Sequence, residues 1–93
     1  MFADKKKVQT LMEKKKAILV DMRSPILFRD DNIEGAVNLP LRNLINTLTL
    51  ERDKSRPVIL FGLNPDDTDL KSGVNYSENL GFVTYTTDVR QFR

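Results

Sequence analysis

The sequence contains no cysteine, no histidine and no tryptophan. Without cysteine, the chain has no thiolate nucleophile, no disulfide and no thiolate ligand for a metal ion. Without histidine, it lacks the side chain that most often serves as a general base or a metal ligand. No apolar run approaches the roughly 20 residues of a membrane-spanning helix. The missing cysteine and histidine therefore exclude thiolate-based and histidine-based mechanisms before any motif is considered.

The length and the composition predict one small domain that covers residues 1–93. The apolar content of 40% is ordinary for a folded globular protein. The N-terminus has lysines but no apolar segment of the kind that a secretory signal needs. Because there is neither an export signal nor a cysteine for disulfides, we expect a cytoplasmic, intracellular protein.

The positive charge is concentrated near the N-terminus, where six lysines within residues 1–16 stand against Asp4 and Glu13. One interpretation is contact with an anionic surface such as nucleic acid or lipid. The other is a solvated amphipathic helix whose last lysines suit the negative end of the helix dipole. Because no aromatic residues lie among the lysines to stack on bases, we favour the solvated helix and do not expect nucleic acid to bind.

The apolar pattern predicts that helices and strands alternate along the chain. Four helices are predicted: Asp4 to Lys15, a short segment opened by Ser24-Pro25, one with its apolar face at Leu41, Leu44, Ile45 and Leu48, and one that runs to Leu80 and is followed by Gly81. Four strands are predicted, at residues 17–20, 35–39, 58–61 and 82–86. No element is assigned to Asp88 to Arg93. This alternation is typical of the α/β class and predicts a central parallel sheet of four to five short strands with helices on both faces.

The stretch that follows the strand Val58 to Phe61 is the candidate site. Its unbroken apolar run predicts a strand covered on both faces, and ligands usually bind beyond the carboxyl end of such a strand. We expect a helix to begin at Asn64-Pro65, with Asn64 as its N-cap and Pro65 in its first position. The candidate residues are Gly62, Leu63, Asn64, Pro65, Asp66, Asp67 and Thr68.

Four segments in this order resemble the rhodanese-like domain over nearly the whole chain. They are residues 18–24 (ILVDMRS), 32–40 (NIEGAVNLP), 57–61 (PVILF) and 80–83 (LGFV). The resemblance implies the rhodanese-like fold and, for the active members of the family, sulfur transfer. In those members a cysteine after the central strand takes a sulfane sulfur from a donor such as thiosulfate and holds it as a persulfide. A loop of backbone N–H groups stabilises the anion.

The chain departs from this pattern at the reaction centre. Gly62 stands at the position of the family's cysteine, and neither Thr68 nor Ser72 has a base that could activate its hydroxyl. Pro65 has no N–H to offer an anion, and Asp67 falls about where the family often has an arginine. The family's Gly-Gly turn after the last strand is replaced here by Asp88-Val89.

Asp66, Asp67 and Asp69 also place negative charge where an anionic substrate would approach. One charge at about 4 Å costs roughly 4 kcal/mol at a near-surface dielectric, against roughly 0.3–1 kcal/mol gained from the helix dipole. We therefore predict that this loop does not bind thiosulfate, persulfide or phosphate.

The other family positions have structural interpretations. We expect Asp21 and Arg23 to fix the loops at the end of the first strand by hydrogen bonds and an ion pair. Gly35 is expected to supply a turn or a close backbone approach. Asn32 stands where the family has a histidine.

The leading hypothesis is a catalytically inactive rhodanese-like domain that serves as a protein-binding or regulatory module. One alternative is a sulfurtransferase-related protein that acts with a partner's thiol. Another is a cation site on Asp66, Asp67 and Asp69, whose oxygens suit hard cations although their spacing is not that of an EF-hand. We lean against an enzyme, predict no cofactor and no bound metal, expect a protein partner, and leave the oligomeric state open.

Overall fold

The predicted alternation of helices and strands is present in the computed structural model, which describes residues 1–92. In chain order the elements are α1 (Lys5–Lys15), β1 (Ile18–Asp21), α2 (Pro25–Asp30), β2 (Val37–Asn38), α3 (Leu41–Leu50), β3 (Val58–Phe61), α4 (Thr68–Asn79), β4 (Thr84–Thr86) and a 3₁₀ helix, Val89–Phe92. Within the described residues, no helix is both long enough and apolar enough to cross a membrane.

The strands form one four-stranded sheet in the order β2-β1-β3-β4, and every pair within it is parallel. Ile18, Val58 and Thr84 lie side by side at the start of three strands. The predicted parallel sheet is confirmed, with four strands. Because β3 lies inside the sheet and is covered on both faces, all four of its residues are buried, which explains their unbroken apolar run.

The core consists of two apolar clusters, one on each face of the sheet. Side chains alternate along β3, so that Ile59 and Phe61 belong to one cluster and Val58 and Leu60 to the other. The first cluster also contains the buried face of α1, and the second contains the buried faces of α3 and α4. The prediction of helices on both faces is therefore confirmed.

Two predicted strand boundaries need correction, and the unassigned tail has a defined structure. The second strand is only Val37–Asn38, because Gly35, with φ of 88°, turns the chain just before it. The last strand begins at Thr84 and not at residue 82. The tail, left unassigned from the sequence, forms the 3₁₀ helix, whose Val89 and Phe92 pack against the first cluster.

Candidate functional site

The candidate loop lies at the edge of the sheet where the strands end, which we call the carboxyl edge. It leaves the buried residue Gly62 and forms a turn in which the Asp67 N–H donates to the Asn64 carbonyl at 3.2 Å. The Asn64 side chain accepts from the Asp66 N–H at 2.9 Å and so stabilises the turn. The predicted helix start at Asn64-Pro65 is therefore wrong, because α4 begins only at Thr68 and its N-cap is Asp67.

The Asp67 carboxylate fills the concave side of this loop. Its Oδ1 accepts from the Asp69 N–H at 2.9 Å, and its Oδ2 accepts from the Leu63 N–H at 3.2 Å. Oδ2 also lies only 2.6 Å from where a Cβ on Gly62 would be. A side chain at Gly62 and the Asp67 carboxylate therefore compete for the same space.

Four backbone amides of this segment are engaged in local hydrogen bonds. The N–H groups of Leu63, Asp66, Asp67 and Asp69 all donate to atoms of Asn64 or Asp67. Pro65 contributes no N–H. A carboxylate belonging to the chain thus takes hydrogen bonds of the kind that a bound anion accepts at a helix N-terminus.

The carboxylates of the loop do not form a metal site among the described residues. Within residues 1–92, no three acidic side chains come together in a way that could hold a metal ion. Asp66 and Asp69 are exposed, and the carboxylate of Asp67 is already bonded to two amides. The cation site considered from the sequence therefore gains no support from the geometry.

Asp21 and Arg23 form a buried ion pair beside the loop, at the end of β1. The Arg23 Nη2 lies 2.8 Å from the Asp21 Oδ2, and the Arg23 Nε lies 3.0 Å from Oδ1. The same guanidinium donates to the carbonyl of Asp31 and lies 5.6 Å from the centre of the Phe61 ring. The pair therefore joins β1, the end of α2 and the last residue of β3.

Asn38 is a structural residue that the sequence analysis did not single out. Its side-chain amide donates to the carbonyls of Asp21 at 3.0 Å and of Arg23 at 2.8 Å. It thereby ties β2 to the segment that follows β1. The available signal was its place in residues 32–40, one of the segments that carry the family resemblance.

Asn32 and Gly35 lie away from the candidate loop. Asn32 is exposed and lines a groove of about 500 Å³ beside α1, together with Met12, Ile33 and Phe92. Gly35 forms the turn before β2, and a Cβ there would lie 3.2 Å from the Met12 Cε. Neither residue lines the groove beside the candidate loop.

Asp88 lies at the carboxyl edge, between β4 and the 3₁₀ helix. Its carboxylate accepts from the Arg90 guanidinium at 2.6 Å and from the Arg90 N–H at 2.9 Å. The side-chain hydrogen bond to Arg90, followed by the backbone one, lowers the pKa of Asp88 below its ordinary value of 3.8. Asp88 therefore fixes the turn into the 3₁₀ helix as a carboxylate.

The chain matches a family of known proteins. The Rhodanese-like domain family matches residues 4–89, and the chain belongs to that family. The predicted family and fold are therefore confirmed, and the absence of the family's cysteine agrees with the sequence.

Solved structures have the same fold. The Rhodanese_3-like domain of the Alr3790 protein from Anabaena sp. is 24% identical, with a TM-score of 0.62 over 76% of this chain and 79% of that chain. A second crystal structure of that protein's rhodanese-like domain is 22% identical, with a TM-score of 0.65 over 91% and 83%. A protein from Lactobacillus plantarum is 18% identical, with a TM-score of 0.68 over 92% and 84%. No curated protein matches the chain.

Proposed function

We propose that this rhodanese-like domain does not transfer sulfur and instead binds a protein partner through its carboxyl edge. The observation that supports the first part is the Asp67 carboxylate, which occupies the loop and accepts hydrogen bonds from Leu63 and Asp69. The loop also lacks the cysteine that serves as the nucleophile in sulfur transfer by active members of this family.

A Gly62→Cys variant tests this proposal, since it restores the missing thiol. We expect no thiosulfate:cyanide sulfurtransferase activity from either the unmodified protein or this variant. The new side chain must displace the Asp67 Oδ2, which lies 2.6 Å from the Cβ position, and the displaced charge still repels thiosulfate.

A double variant, Gly62→Cys with Asp67→Gly, is the matched comparison because it frees the two amides. Activity in the double variant alone would support a block by Asp67. Turnover by the unmodified protein or by Gly62→Cys alone, with far-UV circular dichroism showing folded protein, would contradict the proposal.

Support for a binding role comes from exposed apolar side chains around the same loop. Leu63 is 65% exposed, although it directly follows the buried strand β3 and the buried residue Gly62. A groove of about 360 Å³ lies next to the loop, and Phe2, Pro65 and Val74 are among its lining residues. Exposed apolar residues bordered by acids, here Asp66, are typical of a protein-binding surface.

The binding role is tested by affinity capture from the source organism with quantitative mass spectrometry. The surface variant combines Leu63→Ser with Asp66→Lys, and the control combines Leu50→Ser with Glu13→Lys. Both variants remove one exposed leucine and change the net charge equally.

We expect the surface variant to recover at least about tenfold less partner, since central interface residues dominate binding energy. The control should recover as much as the unmodified protein. Equal recovery by the surface variant and the control would contradict binding at the carboxyl edge.

A further inference from the structure

The opposite edge of the sheet, where the strands begin, is basic. We define this amino edge as residues 14–17, 50–57 and 80–83, the segments before β1, β3 and β4; the exposed Glu34, before β2, lies outside this definition. It contains six basic side chains, Lys14, Lys15, Lys16, Arg52, Lys54 and Arg56, and two acidic ones, Glu51 and Asp53. The carboxyl edge has the four acids Asp66, Asp67, Asp69 and Asp88 beside the two arginines Arg23 and Arg90, each of which is paired with an aspartate.

The parallel register brings these separate segments together. Ile18, Val58 and Thr84 are neighbours in the sheet, so the residues just before them lie side by side. The Arg56 side chain donates to the Lys16 carbonyl at 2.7 Å, which joins the end of α1 to the loop before β3. Basic residues far apart in the sequence therefore form one surface.

Of the two acids of this edge, Glu51 is paired with a cation, whereas Asp53 keeps its negative charge, so that the edge has a net charge of +4. Glu51 lies 3.2 Å from Arg56 in an ion pair, and Asp53 accepts from both the N–H and the hydroxyl of Ser55. The lysines of the last turn of α1 have no ion pair among residues 1–92. Their charges remain free to attract an external anionic group.

Two apolar side chains of the amino edge are exposed among these charges. Leu50, the last residue of α3, is 80% exposed, and Val83, just before β4, is 54% exposed. Lys54 joins the segments that carry them, because its Nζ lies 4.2 Å from the centre of the Phe82 ring and donates to the Glu51 carbonyl. The surface thus combines cations with projecting aliphatic groups.

We propose that the amino edge docks on an anionic lipid bilayer. Lysine and arginine side chains would meet the lipid phosphates and carboxylates, and Leu50 and Val83 would enter the boundary between headgroups and acyl chains. Nucleic acid fits less well, because the one aromatic ring of this edge, Phe82, is buried and offers no face for stacking. Docking in this way would turn the carboxyl edge away from the membrane.

Sedimentation with vesicles tests the proposal. We expect binding to vesicles with about 30% phosphatidylserine in phosphatidylcholine, and at least tenfold weaker binding to pure phosphatidylcholine. Raising the salt from about 0.1 M to about 1 M shortens the screening length from about 10 Å to about 3 Å and should release the protein. Equal binding to both kinds of vesicle would overturn the proposal.

Two charge-matched variants show whether the edge or only the total charge matters. Lys14→Glu with Lys15→Glu reverses the end of α1 at the amino edge, and Lys5→Glu with Lys6→Glu reverses its other end. At about fivefold for each basic residue lost, the first pair should weaken binding at least about 25-fold, because each substitution also adds a negative charge, and the second much less. Equal losses would overturn the proposal; thermal melts check that each variant is folded.

The apolar contribution separates lipid from other polyanions. Leu50→Ser with Val83→Ser should weaken vesicle binding at least fivefold, whereas Leu63→Ser, at the carboxyl edge, should leave it unchanged. Binding to a single-stranded oligonucleotide that is tighter than vesicle binding and indifferent to Leu50→Ser with Val83→Ser would assign the surface to nucleic acid and overturn the proposal. If inorganic phosphate at low millimolar concentration displaced the vesicles, the amino edge would be a simple anion site, and the proposal would also be overturned.

Discussion

Replacing Arg23 by alanine should lower the free energy of unfolding by about 3–5 kcal/mol. The Asp21 carboxylate is fully buried, and Arg23 provides both its counter-charge and two of its hydrogen-bonding donors. Removing the guanidinium leaves a charge in the interior without compensation. Urea denaturation followed by circular dichroism measures the loss, which is a large fraction of the roughly 5–15 kcal/mol that stabilises a typical domain.

The chain contains a matched control for this change. Arg29→Ala removes an arginine whose Nε lies 3.9 Å from the Asp30 carboxylate, with both side chains exposed, and should cost less than about 0.5 kcal/mol. If Arg23→Ala does not fold, Arg23→Lys serves instead, because lysine keeps the charge but cannot form the bidentate pair. A loss below about 1 kcal/mol for Arg23→Ala would contradict a structural role for the pair.

Leu44→Ala should lower the free energy of unfolding by about 2–5 kcal/mol. Leu44 is fully buried in α3 and belongs to the cluster that contains Val20 and Leu60 from the sheet. The substitution leaves a cavity between α3, α4 and the sheet that the surrounding side chains fill only in part. The urea midpoint should fall with an unchanged slope.

Leu50→Ala, in the same helix, is the control. Leu50 is 80% exposed, so the same loss of side-chain atoms should change the unfolding free energy by less than about 0.5 kcal/mol. Similar effects at both positions would contradict the assignment of buried and exposed faces to α3. The control also shows that substitutions of Leu50 used to study binding leave the fold intact.

The architecture could be predicted from the sequence because its signals are local. An unbroken apolar run identifies the central strand, and the spacing from Leu41 to Leu48 identifies α3. The order of the family-like segments identifies the family. These features depend on neighbouring residues and on the periods of helices and strands, which are visible in the chain itself.

The interior of the candidate loop could not be predicted in the same way. Asn64 and Asp67 both suit an N-cap, and only the three-dimensional structure shows that Asn64 stabilises a turn while Asp67 caps α4. The sequence predicts a negative charge near the loop, but the direction in which the Asp67 carboxylate points depends on tertiary contacts. Its competition with a side chain at Gly62 was therefore missed.

The amino edge was missed for a different reason. From the sequence, only the lysines within residues 1–16 form a basic group, whereas residues 51–56 have the composition of a charged surface loop. Their proximity follows from the placement of β1 beside β3, and that order depends on long-range pairing. Strand order cannot be deduced from the period of an apolar pattern.

The position of β3 between β1 and β4 also determines when this domain can fold during synthesis. A nascent chain that ends before β3 can pair only β1 with β2, and a two-stranded sheet is marginal in water. The pairing of Phe2 with Thr86, and the hydrogen bond from the Thr87 hydroxyl to the Ala3 carbonyl, require nearly the whole chain. On the ribosome, this domain should therefore stay unfolded at least until β3 has left the exit tunnel, and the fold should be complete only after β4 and Thr87 have followed; the first strands would remain accessible to chaperones until β3 pairs with them.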